Sequence, residues 1–285
     1  MKRRNFIQLF GAGVMGGPLF TWLGAGDLQG LNKKLIKTGS PQLDLKIGGF
    51  APGELIIIGG RPSMGKTHFA LRLLRNAYKS NRMTAYFSLD NSTEKIVSKI
   101  IDQEYKESIS SSKTEDELKS VINASQKLSK FRYYLEDDPD LTTHAIQSAL
   151  NNMALNEKVE LVIVDYLQLM RPADKDRTRE EAIQRILSDF KKIALQNKVA
   201  VVVLVQLVRS SRKDKRPQIE DFRASGPLIT GPSVDFGVVD KAIMLFRENY
   251  YNSDVVHNRL EYHVVKNNVG STGVVFAGWS KSGKV

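Results

Sequence analysis

From residue 31 onward the chain alternates short apolar runs with longer segments in which apolar residues recur every three to four positions. This is the pattern of strands buried on both faces and separated by helices that pack on the sheet. Leu55-Ile56-Ile57-Ile58 is the first buried run, and Phe69-Ala70-Leu71-Arg72-Leu73-Leu74 begins a helix. Thr84 to Leu89 reads as a second strand. Asn91 with Glu94 predicts a capping box opening a helix whose buried face carries Ile96, Val97, Ile100 and Ile101. Residues 108–117 are Ser-rich and charged, a surface excursion, and precede a helix carrying Leu118, Val121, Ile122 and Leu128. Further strands are expected at 132–135, 161–164 and 199–205. A long helix before the last of these buries Ile183, Ile186, Leu187, Phe190 and Ile193. Residues 242–246, 260–265 and 273–277 form a closing set of β segments. The expected class is α/β: a mainly parallel sheet with helices on both faces, in one domain spanning 31–285, without internal repeat, linker or second core.

Composition narrows the chemistry. The 285 residues carry 42 Lys+Arg against 31 Asp+Glu, a formal charge of +11, which favours a polyanionic partner such as nucleic acid. No cysteine is present, which excludes disulfides, thiolate metal sites and cysteine nucleophiles. The four histidines, His68, His144, His257 and His263, show no ligand spacing and read as structural.

Gly60-Arg61-Pro62-Ser63-Met64-Gly65-Lys66-Thr67 lies between the first strand and the first helix and fits G-x-x-x-x-G-K-[ST], the phosphate-binding loop. The bland reading is a glycine turn joining strand to helix; the strand-loop-helix order argues for the functional one. Main-chain N–H groups of such a loop and the helix N-terminus make a polyanion site, so Gly60, Arg61, Pro62, Ser63, Met64, Gly65, Lys66, Thr67 and the adjoining His68 are the expected ATP cradle. Lys66 would neutralise the terminal phosphates and Thr67 would ligate Mg2+. Ligands of open α/β sheets gather at the C-terminal ends of the strands. There Asp165 follows Leu161-Val162-Ile163-Val164, the arrangement that sets a carboxylate beside the nucleotide's metal, although an Asp in this position can also be a turn former. Tyr166 and not Glu follows it, so the base that activates water is sought elsewhere, and Asp90 is the candidate. Gln206 ends the 199–205 strand and is placed to sense the γ-phosphate. Immediately after it come Arg209, Arg212, Lys213, Lys215 and Arg216, five cations in eight residues, a run that is ordinarily a solvated surface loop.

The N-terminus points elsewhere. Lys2-Arg3-Arg4-Asn5-Phe6 and the glycine-rich, weakly apolar stretch to Gly26 resemble a twin-arginine export signal. Residues 1–30 are thus an export signal, an amphipathic arm packing on a neighbouring subunit, or a segment preceding the folded domain. A complete nucleotide site favours the latter two and a cytoplasmic location. The apolar run is too short and too rich in glycine to predict a membrane span.

Residues 53–67, Gly-Glu-Leu-Ile-Ile-Ile-Gly-Gly-Arg-Pro-Ser-Met-Gly-Lys-Thr, together with Val164-Asp165-Tyr166-Leu167-Gln168-Leu169-Met170, closely resemble the ATPase domain of DnaB-type replicative helicases. Thr38-Gly39, Leu43-Asp44 and Gly48-Gly49-Phe50 resemble the opening of that domain. Tyr134 to Asp137 resembles its third strand, Gln206-Leu207-Val208-Arg209 its sensor strand and Asp221 to Gly226 its second DNA-binding loop. The likeness covers roughly residues 34 to 279. It implies a RecA-like P-loop fold, a hexameric ring, ATP hydrolysis with Mg2+ at subunit interfaces and movement on single-stranded DNA. In such a ring Arg209, Arg212, Lys213, Lys215 and Arg216 face the channel as backbone-directed cations, followed by Arg223 and the backbone around Gly226.

Three departures accompany the resemblance. The family usually has Glu where this chain has Asp90, a displacement of about 1 Å that can cost about a hundredfold in rate. Val265 to Gly270 resembles the segment that reaches the neighbour's γ-phosphate; Lys266 is kept, but Asn268 stands at the arginine-finger position, a group typically worth about 10³ to 10⁵ in turnover. The family's N-terminal helical domain is not matched in this sequence, so the resemblance does not carry over primase contact or the collar of the ring. Two functions stay open: a helicase or translocase, and a RecA-like nucleotide-switched DNA-binding or assembly module that hydrolyses poorly. A small-molecule kinase would leave the basic loop unexplained.

Overall fold

The computed structural model describes residues 34–109, 132–171, 178–208, 214–224, 236–252 and 254–278. Their centre is an eight-stranded sheet. In chain order its strands are β1 (Leu55–Gly60), β2 (Thr84–Ser88), β3 (Tyr133–Glu136), β4 (Leu161–Asp165), β5 (Ala200–Gln206), β6 (Lys241–Phe246), β7 (Arg259–Asn267) and β8 (Gly273–Gly278). They lie side by side as β3-β2-β4-β5-β1-β6-β7-β8. The first six run parallel, and β7 and β8 close the sheet antiparallel.

The helices are α1 (Pro41–Ile47), α2 (Lys66–Lys79), α3 (Thr93–Ile109), α4 (Thr143–Ala154), α5 (Arg179–Asn197) and the short α6 (Glu220–Ala224). They cover both faces of the sheet, and alternation along each strand feeds two cores. On one face Leu55, Ile57, Phe87, Val162, Val164, Val201 and Val203 pack with Ile146 and Leu150 of α4 and with Ile183, Ile186, Leu187, Phe190 and Ile193 of α5. On the other, Ile56, Ile58, Tyr86, Leu161, Ile163 and Val202 pack with Leu43 and Ile47 of α1, Phe69, Leu73 and Leu74 of α2, and Ile96 and Ile100 of α3. Because both faces are sealed, the central strands have no polar side to show; each aliphatic so buried contributes about 1.5–3 kcal/mol.

Element ends follow local chemistry. The Thr142 hydroxyl accepts from Ala145 N at 3.1 Å to start α4, and the Thr178 hydroxyl accepts from Glu181 N at 3.3 Å to start α5. The expected Asn91/Glu94 capping box does not form. Asn91 N–H donates to Ser88 Oγ at 3.2 Å, Asn91 Oδ1 accepts from Lys99, and α3 is capped from a distance by Asp137, which takes Thr93 N–H at 2.7 Å. Of the four apolar residues expected to be buried on α3, Ile96 and Ile100 are buried, while Val97 and Ile101 are half-buried at its flank. The helix expected around Leu118 to Leu128 lies outside the described residues. Helix α4 is not legible in the pattern, because Ile146 and Leu150 are its only large buried aliphatics in a largely polar stretch.

Candidate functional site

β1 is flanked by β5 and β6, and the phosphate-loop sequence leaves its C-terminal end. A Cβ on Gly60 would stand 3.1 Å from Lys66 Cγ, so the lysine side chain would have to shift by a few tenths of an ångström. The loop turns through positive φ at Ser63 (65°) and Gly65 (99°) and delivers Lys66 into the first turn of α2. Alternation of this kind makes successive main-chain N–H groups converge, and the first N–H groups of α2 have no acceptor within the helix. Met64 is buried and anchors the loop in the core, whereas Ser63 is exposed. The Lys66 ammonium folds over the loop, donating to Gly60 O at 2.8 Å and Arg61 O at 3.2 Å. Burial pushes its pKa down to about 8, against the opposing pull of Asp165 and Asp90. His68, in the first turn of α2, meets Gln103 of α3 at 3.4 Å.

Asp165 ends β4 beside Ser88 of β2 and is almost fully buried. Its Oδ2 accepts from Thr67 Oγ1 at 2.9 Å and from Tyr86 OH at 3.0 Å. Burial raises its pKa, and the two hydroxyl hydrogen bonds and Lys66 work against that rise. Sequence reasoning missed Tyr86, whose polar tip was masked by its place in an apolar strand. Asp90 stands exposed in the loop after β2, which is fixed here because Leu89 N–H donates to Asp165 O at 2.7 Å. Its charge bears on Lys66, Asp165 and Tyr86, so the structure brings the two carboxylates and the lysine of the sequence reading into one electrostatic site. Gln206, opposite Gly60 in the β5/β1 register, belongs to the same edge. Its backbone is gripped from both sides by Gln168, whose Nε2 donates to Gln206 O at 2.9 Å and whose Oε1 accepts Gln206 N–H at 3.1 Å. The sequence signal for Gln168 is its position three residues after Asp165.

The Arg61 guanidinium turns away from the phosphate cradle. The side chain is buried, and it donates from Nε to Val208 O at 3.2 Å, from one terminal nitrogen to Lys215 O and from the other to Asp221 Oδ2 at 2.8 Å. Arg61 therefore offers the cradle its main chain only. Arg216 is likewise committed within the protein. It pairs with Glu261 and Glu248, both at 3.0 Å, and lies over the Phe246 ring at 5.4 Å. Its charge is balanced where it stands by these two carboxylates. Lys215 is half-buried, and Arg223 belongs to α6; Arg209, Arg212, Lys213 and Gly226 lie outside the described residues, as does the segment 1–30.

Lys266 sits near the end of β7 with its Nζ 5.9 Å from the centre of the Phe236 ring. Asn268 follows and is tied to Asp240, N–H to Asp240 O at 3.1 Å and Nδ2 to Oδ1 at 3.3 Å. Asp240 in turn bonds Leu55, at the start of β1. Asn268 therefore occupies the opposite end of the sheet from Gly60, away from this chain's own phosphate loop.

The family profile described as "DnaB-like helicase C terminal domain" matches residues 36–284. The replicative DNA helicase DnaB of Geobacillus stearothermophilus is 31% identical over 249 residues, 84% of this chain and 53% of that protein. The replicative DNA helicase DnaC of Bacillus subtilis is 30% identical over 259 residues, 88% of this chain and 54% of that protein. The chain thus spans about half the length of the curated relatives it matches. Among solved structures, one ATPase domain superposes with a TM-score of 0.80 at 24% identity, covering 91% of this chain and 94% of that one. A DnaB-like replicative helicase, solved in a study of its interactions with primase, superposes with a TM-score of 0.77 at 25% identity, covering 86% and 61%. These likenesses agree with the RecA-like, mainly parallel fold expected from the sequence.

Proposed function

This chain belongs to the DnaB-like helicase C-terminal domain family, and we propose that it is an ATP-dependent helicase or translocase acting on single-stranded DNA in replication. The observation that carries this reading is the cluster of Lys66, Thr67 and Asp165 at the C-terminal edge of the sheet, with Asp90 and Gln206 beside it. The triphosphate lies on the main chain of 60–67, with His68 adjoining. Lys66 neutralises its terminal charge, Asp90 accepts the proton of the attacking water and Gln206 senses the γ-phosphate. Subunits form a hexameric ring in the cytoplasm. Lys266, far from its own phosphate loop, serves the site of the neighbouring copy. Arg209, Arg212, Lys213, Lys215, Arg223 and the backbone at Gly226 hold the DNA backbone, Arg216 being spent on Glu248 and Glu261.

Mg2+ fits the donors present. Asp165 is a buried acid whose hydrogen-bond partners are two neutral hydroxyls, so its charge has a natural counter-ion in a divalent cation. Among the described residues no group of three or more acidic or histidine side chains forms a metal cage, which agrees with a cation that takes most of its ligands from phosphate and water. Thr67 and Asp165 would hold it, and it would neutralise charge on the phosphates. Among the described residues no helix is long and apolar enough to cross a membrane.

Steady-state ATP hydrolysis with and without single-stranded DNA tests this proposal, with Lys66→Ala as control. DNA-stimulated turnover abolished by the substitution supports the motor; failure to take up ATP at any Mg2+ concentration overturns the whole reading. A second reading, a nucleotide switch with weak hydrolysis, is favoured by one specific observation: Asn268 is a neutral amide tied to Asp240. Tight ATP binding without turnover would support it, and combining Asp90→Glu with Asn268→Arg should then raise turnover.

A further inference from the structure

The three acceptors of the Arg61 guanidinium lie far along the chain, one just before the basic run, one within it and one after it. Val208 follows β5, while Lys215 and Asp221 precede or begin α6. The charged pair itself is buried, with Arg61 at 3% and Asp221 at 5% exposure. A buried guanidinium bound to a carboxylate keeps its position only while that partner stays, because loss of either leaves an uncompensated charge. The next residue, Phe222, is wedged against the strand that launches the loop: a Cβ on Gly59 would come within 2.6 Å of its ring. Asp221 also accepts Gln218 N–H at 3.0 Å, so the same carboxylate shapes the turn that leads into α6.

The other end of this connection is the nucleotide site. Lys66 Nζ donates to the carbonyls of Gly60 and Arg61, and Gly60 O also accepts Leu207 N–H at 3.0 Å. A polyanion in the cradle competes for the Lys66 ammonium and so withdraws a hydrogen bond from the Arg61 main chain. Such a ligand has a different interaction energy with two positions of the loop, the requirement for shifting a conformational equilibrium.

We propose that Arg61 and Asp221 form a latch that couples occupancy of the phosphate loop to the position of the segments carrying the DNA-binding cations. Arg61 is then a positioning residue whose main chain feels the phosphates and whose side chain moves Val208 and the 215–221 segment. The inference rests on the reading of the site as a nucleotide-driven binder of single-stranded DNA and names the part that transmits the signal. By reciprocity, DNA on the basic run must alter nucleotide affinity by the same factor.

The test uses the full chain, a non-hydrolysable ATP analogue and a fluorescent oligothymidylate. The ratio of oligonucleotide Kd without and with the analogue measures the coupling, which in such systems is typically about 5- to 150-fold. Asp221→Asn should leave analogue affinity in the absence of DNA within about twofold while bringing the ratio to within about twofold of unity. An unchanged ratio in a folded Asp221→Asn protein overturns the latch. A ratio of one in the unsubstituted protein instead overturns the underlying reading, and the latch with it. If Asp221→Asn does not fold, hydrogen exchange on the unsubstituted chain decides. The latch requires the analogue to change protection across 216–222 and the oligonucleotide to change it across 60–66, and unchanged exchange in either segment overturns it.

Discussion

Tyr86 donates its hydroxyl across the β2/β4 seam to Asp165 Oδ2 at 3.0 Å, the oxygen that also accepts from Thr67. The bond joins a fully buried phenol to a buried acid, and it opposes the rise that burial imposes on the Asp165 pKa. Tyr86→Phe removes the donor without changing the packing shape, so the carboxylate is stabilised less and its pKa rises further. Stability should fall by about 1 kcal/mol. The acid limb of Mg2+-dependent nucleotide binding should move to higher pH, because more of the protein then carries a protonated Asp165. Because burial makes the native state hold this proton more tightly than the unfolded chain, the group favours folding at low pH and loses that contribution as pH rises through its native value. A nucleotide-binding pH profile of Tyr86→Phe that overlays the unsubstituted one would show that Tyr86 does not tune Asp165.

Lys66 gives a second pH signature. Its pKa is lowered to about 8 by burial, so near that pH the free protein holds a mixture of ammonium and amine. Phosphates in the cradle favour the ammonium, and binding at pH 8 to 9 should take up protons. Calorimetry of ATP-analogue binding in buffers of different ionisation enthalpy reads the uptake directly, and affinity should weaken as pH rises above about 8. The stability sign follows from the same shift. A depressed lysine destabilises the fold at neutral pH, where it is charged in both states, and the penalty lifts only as pH climbs from the native towards the unfolded value of 10.5. Proton release on binding would contradict the assignment of Lys66 as the phosphate-facing cation.

How far these residues could be read from sequence depended on whether a local pattern carried the information. β1, the loop and α2 were readable because a buried run, a glycine spacing and a helical repeat are each local. The same holds for the strand leading to Asp165 and for α5 with its apolar face. Strand order was not readable, because nothing in Leu55-Ile56-Ile57-Ile58 states that β5 and β6 will be its neighbours. Helix α4 escaped because its sparse apolar residues need only half a face. The side-chain partners of Arg61 and Arg216 were not readable for a shared reason. A basic residue beside a ligand loop reads as a ligand contact, and its actual partners, Asp221 in one case and Glu248 and Glu261 in the other, become visible only when segments distant in sequence are brought together.

Arg216 and Lys213 are therefore expected to separate on substitution, although they share one basic run. Arg216→Ala strips the cation from Glu261, whose side chain is only 5% exposed, and leaves that carboxylate beside Glu248 and His263. Its main effect should be on stability, seen as a lowered Tm, with His263 drawn towards protonation as the Arg216 charge that opposes it is lost. Lys213→Ala should leave Tm within about a degree while reducing the slope of log K against log salt for single-stranded DNA by about 0.7, the value for one phosphate contact. Equal effects of both substitutions on the salt slope would place Arg216 back among the DNA contacts.

Gly59 is required by a neighbour and not by its own backbone angles. A Cβ at this position would lie 2.6 Å from Phe222 Cε1 and 2.7 Å from Cζ, closer than carbon atoms approach without displacement. Phe222 cannot swing freely, since it is fully buried and meets Phe236 edge to face at 5.5 Å between ring centres. Gly59→Ala must push the ring, and α6 with it, off the end of β1. The expected cost is about 1–3 kcal/mol, the range for overpacking a well-filled core. Phe222→Leu shortens the group that would be struck, at its own cost in lost contacts, yet in combination with Gly59→Ala it removes the clash. The double variant should therefore be more stable than the sum of the two single losses implies, with an interaction of about 1 kcal/mol measured by denaturant unfolding. Strict additivity would mean that the strand and α6 do not press on each other at Gly59.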